Sequence, residues 1–105
     1  GDGVLVAASA HLKGMIRTAD TLGRFGGEEF VVLMPDTPLE QARVAAERWL
    51  CGLPNLTIPG VEWPITASAG VTEFRSGDSA ESLLSRCDKA LYRAKADGRA
   101  CVRFE

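Results

Sequence analysis

Residues 21–34 have the sequence TLGRFGGEEFVVLM, and this stretch decides the fold that we predict for the chain. Two short strand-like runs, TLGRF and EEFVVLM, flank the pair Gly26-Gly27. A Gly-Gly pair in this position is typical of a two-residue hairpin turn, because the tight hairpin turns require positive φ angles. We therefore predict a β-hairpin that turns at Gly26 and Gly27.

Helical patterns lie on both sides of the hairpin. Residues 4–16 carry apolar side chains at helical spacing, and Asp2 stands where a carboxylate can cap the free N–H groups. After the hairpin, Thr37 and Glu40 have the spacing of a capping box, and Pro38 suits the first helical position. These signals predict one helix before the hairpin and one after it.

The second half of the chain continues this mixture. Residues 64–74, PITASAGVTEF, alternate as a strand does, and their small side chains indicate that a helix packs closely on them. Residues 79–96 predict a third helix, with a capping box from Asp78 and Glu81 and with Gly98 as its terminator. The closing CVRFE predicts a last strand.

The resulting order is helix, hairpin, helix, strand, helix, strand. With 105 residues the chain is long enough for one domain, so we assign residues 1–105 to a single domain. The order predicts an α+β fold in which helices pack on one face of the sheet.

Composition and charge exclude several classes of function. The formal net charge of −2 argues against non-specific DNA or RNA binding, which requires many Lys and Arg on one surface. The three cysteines form no C-x-x-C pair, and the single His11 has no ligand-spaced partner, so we expect no disulfide or zinc site. Because the sequence has neither a membrane-length apolar run nor a signal peptide, we expect a soluble domain.

The residues after the glycine pair carry the candidate chemistry. A tight glycine turn exposes backbone and lets a bulky ligand approach it closely. The adjacent carboxylates of Glu28 and Glu29 are ligands that suit Mg²⁺, a hard cation that keeps phosphate oxygens as co-ligands. On this run alone, the alternative that both glutamates are only solvated stays open.

The same run resembles the signature of GGDEF-domain diguanylate cyclases, in its GGEEF form. Further motifs of that family match in order and spacing. Gly1-Asp2 resembles the end of its G-H-x-x-G-D element, and Arg17-Thr18-Ala19-Asp20 resembles its R-x-x-D motif. Residues 66–70, TASAG, resemble its T-x-S-x-G strand, and residues 86–99, RCDKALYRAKADGR, resemble its A-D-x-A-L-Y-x-A-K-x-x-G-R-N ending. Each motif is weak alone, but the ordered set is specific.

The resemblance implies a palm-like nucleotide-cyclase fold with a mainly antiparallel sheet and helices packed on it. It also implies an activity, the condensation of two GTP into cyclic di-GMP by two copies of the domain that face each other. Mg²⁺ or Mn²⁺ is the implied cofactor, and the implied location is the cytoplasm, with a membrane anchor elsewhere in a longer parent compatible with this. No DNA, RNA or membrane contact by this domain is implied.

Carried over residue by residue, the resemblance gives Glu28 and Glu29 catalytic and metal-binding roles. Glu28 is the stronger metal ligand and also the candidate for helping to deprotonate the 3′-hydroxyl. The implied contacts to the substrate are Asp2 with the guanine edge, Gly26 and Gly27 beneath the nucleotide, and Lys95 and Arg99 with the phosphates.

Two further residues, Arg17 and Asp20, correspond to the inhibitory product site of the family. Arg17 offers paired donors for phosphate or guanine, and Asp20 offers an acceptor for guanine N–H groups. Arg48 on the next helix completes the expected site across a dimer. The alternative interpretation of Arg17 and Asp20 is a surface ion pair, worth about 0–1 kcal/mol.

The sequence also departs from the family pattern. The family's first, central strand, which carries a metal-binding Asp and an F-K-x-x-N-D segment, has no counterpart in these residues. We therefore expect little or no cyclase activity from the 105 residues alone, and unpaired strand edges where that strand would lie. The alternative function is an inactive GGDEF module that binds cyclic di-GMP or GTP as a sensor.

Overall fold

The computed structural model describes residues 2–105 of the chain, and it describes the side chains of the residues after Asp2. The predicted order of elements is confirmed. The elements are α1 (Asp2–Met15), β1 (Thr21–Arg24), β2 (Phe30–Leu33), α2 (Leu39–Gly52), a short 3-10 turn (Leu53–Asn55), β3 (Ala69–Val71), α3 (Ala80–Ala96) and β4 (Val102–Phe104).

The four strands form two separate pairs. β1 and β2 are antiparallel, with Thr21 opposite Leu33 and Arg24 opposite Phe30. β3 and β4 are parallel, with Ala69 opposite Val102. Within residues 2–105 no ladder joins the two pairs, so β2 and β3 each have one strand neighbour. The predicted mainly antiparallel sheet is thus present as one antiparallel pair and one parallel pair.

The strand predicted over residues 64–74 is regular only at Ala69–Val71. A regular strand needs a neighbour that accepts and donates ladder hydrogen bonds, and β4 supplies those bonds for three residues. Ile65 is buried in the segment before the strand. The pattern therefore predicted a strand correctly and its length wrongly.

Helices cover both faces of β3, so the prediction of helices on one face was wrong. Ala69 and Val71 pack against the buried cluster on α2. Gly70, between them, points toward α3, where an added Cβ would lie 2.3 Å from the backbone nitrogen of Leu91. Successive residues of a strand face opposite sides, so α2 and α3 lie on opposite sides of β3. The small residue at position 70 is what permits the close approach of α3, as the sequence predicted.

The core is centred on α2. Ala45, Ala46 and Trp49 form its buried cluster. Partly buried side chains reach this cluster from α1, from the hairpin and its following residues, and from the parallel pair: Leu12, Met15, Ile16, Val32, Met34, Ala69, Val71 and Val102. α2 therefore holds the two strand pairs in one body although no ladder connects them.

Two predicted helix caps were wrong. Thr37 does not cap α2, because its hydroxyl donates to the Pro35 carbonyl and accepts from Arg17. The Leu39 N–H at the start of α2 instead donates to Glu73 Oε1 at 3.2 Å. α3 is capped by Ser79, which exchanges hydrogen bonds with Ser82.

Asp78, which was predicted to cap α3, is instead the partner of Arg86. Arg86 donates from Nη1 at 3.0 Å and from Nη2 at 2.6 Å to the two carboxylate oxygens of Asp78. Arg86 also donates to the Thr72 hydroxyl and to the Glu73 carbonyl. These bonds fix the segment after β3, the same segment that places Glu73 at the start of α2.

Candidate functional site

The tip of the hairpin is a five-residue loop, residues 25–29, rather than the predicted two-residue turn. The Glu29 N–H donates to the Gly26 carbonyl at 3.0 Å, and the Phe25 N–H donates to the Glu29 carbonyl at 2.8 Å. Gly26 and Gly27 have φ angles of 87° and 51°, so both adopt the left-handed conformation that glycine tolerates best. An added Cβ at either glycine would meet no atom within 4 Å, which leaves open space above the turn for a ligand.

Arg24 shapes this tip, a role that the sequence analysis missed. Its Nε and Nη2 atoms donate to the Gly27 carbonyl at 3.1 and 2.7 Å. The guanidinium thereby closes the loop from the end of β1 and occupies the Gly27 carbonyl. The signal available in the sequence was an Arg three residues before the second glycine.

Glu28 and Glu29 are both exposed. Neither carboxylate makes a hydrogen bond or ion pair with any other part of residues 2–105 that the structure describes. Glu28 lies in the turn itself and Glu29 at the last position of the loop, so neither belongs to a regular strand. The tip thus presents two adjacent carboxylates to solvent.

This donor set suits a divalent cation that is shared with a ligand. Two carboxylates provide the hard oxygen ligands that Mg²⁺ prefers, and Mg²⁺ normally completes its shell with water and phosphate oxygens. In the part of the chain that is described, no group of three or more His, Cys, Asp or Glu side chains is arranged to hold a metal. Glu28 and Glu29 therefore fit a metal brought or shared by phosphates better than a cage built by the protein.

A groove lies between α1 and the hairpin. It encloses about 760 Å³ and is lined by α1 on one side and by β1 and the start of β2 on the other: Leu5, Val6, Ser9, Ala10, Lys13, Leu22, Arg24 and Phe30. Asp2, the predicted guanine contact, begins α1, but its side chain lies outside what the structure describes, as does all of Gly1. The groove is large enough to accept a base beside the hairpin.

Lys95 and Arg99, the predicted phosphate contacts, lie at the end of α3. Lys95 is in the last helical turn, and Arg99 follows the helix in a turn where its φ angle is 64°. Both are exposed, and no hydrogen bond among the described residues joins either side chain to the hairpin. The structure places them together at one helix end without bringing them into contact with Glu28.

Arg17 and Asp20 form a tight pair. Arg17 Nη2 donates to Asp20 Oδ1 at 2.8 Å, and the Arg17 backbone N–H donates to Asp20 Oδ2 at 2.9 Å. Arg17 Nη2 also donates to the Thr37 hydroxyl at 2.6 Å. Hydrogen bonds from Arg17 hold the pKa of the Asp20 carboxyl below its usual value and raise the pKa of the Arg17 guanidinium.

The two members of this pair differ in accessibility. The Asp20 side chain is 1% exposed, whereas the Arg17 side chain is 52% exposed. A ligand can therefore reach the Arg17 guanidinium directly, but contact with the Asp20 carboxylate requires Arg17 to move. In this state Asp20 orients Arg17 rather than presenting itself to a ligand.

Arg48 lines the same cavity as Arg17 and Asp20, within one chain. This cavity of about 290 Å³ is walled by the end of α1, the segment after β2 and one face of α2, including Met15, Met34, Val44 and Trp49. The Trp49 indole N–H is buried and has no hydrogen-bond partner among the described residues. The three predicted product-site residues are thus brought together on an apolar floor.

None of the helices within residues 2–105 has the length and apolar character needed to cross a membrane.

Two adjacent exposed carboxylates on a glycine turn are groups that suit a divalent cation whose other ligands are phosphate oxygens. The family model described as "Diguanylate cyclase, GGDEF domain" matches residues 1–101. The chain belongs to this family, as the sequence motifs predicted.

Two curated relatives illustrate the similarity. The chain is 44% identical over 101 residues to the diguanylate cyclase DgcP of Pseudomonas aeruginosa and 42% identical over 99 residues to the diguanylate cyclase DgcM of Escherichia coli K12. Each match covers 94% of this chain but only 15% of DgcP and 24% of DgcM. The chain therefore spans less than a quarter of the length of these relatives.

Solved structures agree on the fold, and the predicted α+β class is confirmed. The chain is 39% identical to the diguanylate cyclase SiaD of P. aeruginosa, solved with its activator SiaC, with a TM-score of 0.92 over 99% of this chain and 41% of SiaD. An active GGEEF domain from Vibrio cholerae gives 30% identity and a TM-score of 0.90, over 98% of this chain and 67% of that one. The GGDEF domain of DgcB from Caulobacter crescentus, in complex with c-di-GMP, gives 26% identity and a TM-score of 0.91, over 98% of this chain and 63% of that one.

Proposed function

We propose that this chain is the catalytic part of a diguanylate cyclase that condenses two GTP molecules into cyclic di-GMP. The observation that carries the proposal is the hairpin tip, where Glu28 and Glu29 are exposed, adjacent and unpartnered among the described residues. A domain that only held a ligand by hydrogen bonds would gain nothing from two unpaired carboxylates at this position. Membership of the GGDEF family and relatives named as diguanylate cyclases support the same conclusion.

The proposed reaction is phosphoryl transfer between two nucleotides held by two copies of the domain. The 3′-oxygen of each GTP attacks the α-phosphorus of the other, each 3′-hydroxyl loses its proton, and each α–β bond breaks to release pyrophosphate. Two phosphodiester bonds form and two pyrophosphates leave. Glu28 is the candidate acceptor for the hydroxyl proton because it stands free at the tip.

Mg²⁺ or Mn²⁺ held by Glu28 and Glu29 would neutralise phosphate charge and align the displacement. The protein's own contribution is positioning. Gly26 and Gly27 let the nucleotide lie on the turn, and Asp2 is the proposed guanine contact. Lys95 and Arg99 are the proposed phosphate contacts.

Product feedback is the second part of the proposal. Cyclic di-GMP would bind the cavity that Arg17, Asp20 and Arg48 line, away from Glu28. The exposed Arg17 guanidinium and Arg48 would meet phosphate or guanine edges, and the apolar floor would receive a base. Inhibition would follow from holding two domains in an arrangement where their hairpin tips do not meet.

One observation favours the alternative of a sensor that binds without turnover. Arg17, Asp20 and Arg48 line one cavity within this chain, whereas no ladder joins the two strand pairs among residues 2–105. If this cavity receives cyclic di-GMP, the domain binds it without having to align two GTP molecules.

Turnover separates the enzyme from the sensor. The chain, and a hybrid that carries ahead of Gly1 about forty residues from the corresponding part of a relative, are incubated with GTP and Mg²⁺. Cyclic di-GMP is quantified by chromatography. We expect little product from the chain and steady turnover by the hybrid. A folded hybrid that binds cyclic di-GMP but forms none would support the sensor instead.

A further inference from the structure

The turn after α3 adopts a conformation that its residues do not favour. Gly98, Arg99 and Ala100 have φ angles of 111°, 64° and 51°, so three consecutive residues lie in the left-handed region. Glycine tolerates this region, but a side chain with a Cβ is crowded there, and alanine has no polar group to stabilise it locally. Residues held in such conformations cluster where the structure around them is needed for function.

Helix termination does not explain the whole turn. The Arg99 N–H donates to the Ala94 carbonyl at 3.0 Å, and the Asp97 N–H donates to the Arg93 carbonyl at 2.8 Å. The first of these bonds, with a left-handed Gly98, ends the helix in a Schellman motif. That motif needs one left-handed residue, so the conformations of Arg99 and Ala100 are additional.

Two interactions that involve side chains tie this turn to the neighbouring strands. The Ala100 N–H donates to Ser68 Oγ at 3.1 Å. At the other end of the turn, Arg103 Nε donates to Asp97 Oδ2 at 2.8 Å. The Ala69 N–H, next to Ser68, also donates to the Cys101 carbonyl at 3.0 Å. The turn is thus tied to the start of β3 and to β4, while the Arg99 side chain stays exposed and unpaired among the described residues.

We infer that Ser68 is a positioning residue, which holds the strained turn so that the Arg99 guanidinium is directed at the phosphates of the nucleotide. Asp97 also holds the turn, because its carboxylate accepts a hydrogen bond from Arg103 on β4. This inference rests on the proposed function, which assigns Arg99 to the phosphates, and it adds the residues that set its direction. Without these ties the turn relaxes, and Arg99 must be ordered again each time a nucleotide binds.

The test measures the affinity of the chain for GTP and for guanosine, in Mg²⁺, by calorimetry or by NMR titration. Guanosine lacks phosphates, so its affinity reports the remainder of the site. Arg99→Ala and Ser68→Ala should each weaken GTP binding by about threefold to tenfold and leave guanosine binding unchanged. Ser68→Thr keeps the hydroxyl and should restore GTP binding. Ser85→Ala, an exposed serine on α3, is the matched control and should match the parent.

Asp97→Ala tests the second tie independently of Ser68, because its ion pair with Arg103 is half exposed and does not endanger the fold. It should also weaken GTP binding selectively. If Arg99→Ala weakens GTP binding while Ser68→Ala and Asp97→Ala do not, the positioning role is overturned. If none of the three changes affects a parent that prefers GTP to guanosine, the inference and the proposed Arg99 contact fall, and GTP as the proposed substrate stands. A parent without that preference contradicts the proposed substrate site itself.

Discussion

The cavity lined by Arg17, Asp20 and Arg48 is here called the Arg17 corner. It differs from the hairpin tip in how many of the contacts to its charged groups the chain itself supplies. At the corner, the Asp20 carboxylate is enclosed and accepts hydrogen bonds from the Arg17 backbone and guanidinium. At the tip, Glu28 and Glu29 are exposed and make no hydrogen bond with the rest of the described chain. Contacts within the chain therefore hold the charged groups of the corner in place, whereas the two carboxylates of the tip have no partner among the described residues.

This difference has a physical basis. Two adjacent carboxylates repel each other, and a cation shared with the proposed substrate would relieve that repulsion. The Arg17 guanidinium, in contrast, is held at close range by the buried Asp20 carboxylate. We therefore expect changes at the tip to alter turnover and changes at the corner to alter regulation.

The largest effect is expected at the tip. In the hybrid that turns over GTP, Glu28→Gln should lower the rate of cyclic di-GMP formation by about a hundredfold or more. The reason is that the negative charge developing on the leaving pyrophosphate would lose the metal ion that Glu28 is proposed to hold. The fold should survive, since the turn is held by glycine conformations and by Arg24. Initial rates and circular dichroism melting curves check both statements.

Glu62→Gln is the matched control, because Glu62 is an exposed glutamate in a loop. It should leave the rate unchanged. A Glu28→Gln enzyme with the parent rate would remove Glu28 from the mechanism.

A smaller effect is expected at the corner. Arg17→Ala should weaken cyclic di-GMP binding by about tenfold, since charge-assisted hydrogen bonds to phosphate are among the strong ones. In the hybrid it should also relieve product inhibition and leave initial rates unchanged. Calorimetry and rate assays measure these effects, and Arg75→Ala, at an exposed arginine elsewhere, is the control. Equal binding by parent and Arg17→Ala would reduce the motif to a surface ion pair.

The smallest effect concerns stability in acid. Hydrogen bonds from Arg17 lower the pKa of Asp20 in the folded chain below the unfolded value of about 3.9. Such a group contributes stability above the unfolded pKa, and this contribution is lost as pH falls through the folded pKa. Asp20→Asn should therefore lower the urea midpoint of unfolding at pH 7. The difference between the midpoints at pH 7 and pH 3 should be smaller in this variant than in the parent.

Asp78→Asn should behave in the same direction, because hydrogen bonds from Arg86 hold the pKa of Asp78 far below its usual range. Urea titrations of the parent and both variants at the two pH values measure this. A pH difference that is as large in both variants as in the parent would show that neither ion pair contributes to acid sensitivity.

The features predictable from the sequence were local or carried by the family resemblance. The glycine pair predicted a hairpin, Gly98 predicted the end of α3, and the small residues around Gly70 predicted a closely packed helix. Each depends on neighbours in the chain or on the space that a side chain occupies. The R-x-x-D motif predicted Arg17 and Asp20 as one site; Arg48, expected from a partner across a dimer, lines the same cavity within one chain, and the role of all three stays a prediction.

The errors came from contacts between distant residues. Thr37 was predicted as a cap from local spacing, but its hydroxyl oxygen accepts a hydrogen bond from Arg17, twenty residues earlier. The start of α2 is satisfied by Glu73, thirty-four residues later. The faces covered by helices depended on tertiary packing, which a local pattern does not specify.

The dependence of two affinities on Mg²⁺ tests the contrast between corner and tip most directly. Cyclic di-GMP and GTP are titrated into the same protein with Mg²⁺ and again with the metal removed by chelation. The account predicts that cyclic di-GMP binds equally well in both, because Arg17, Asp20 and Arg48 use no metal, and that GTP affinity falls by about tenfold or more without Mg²⁺. Cyclic di-GMP binding that requires the metal, or GTP binding indifferent to it, would contradict the account.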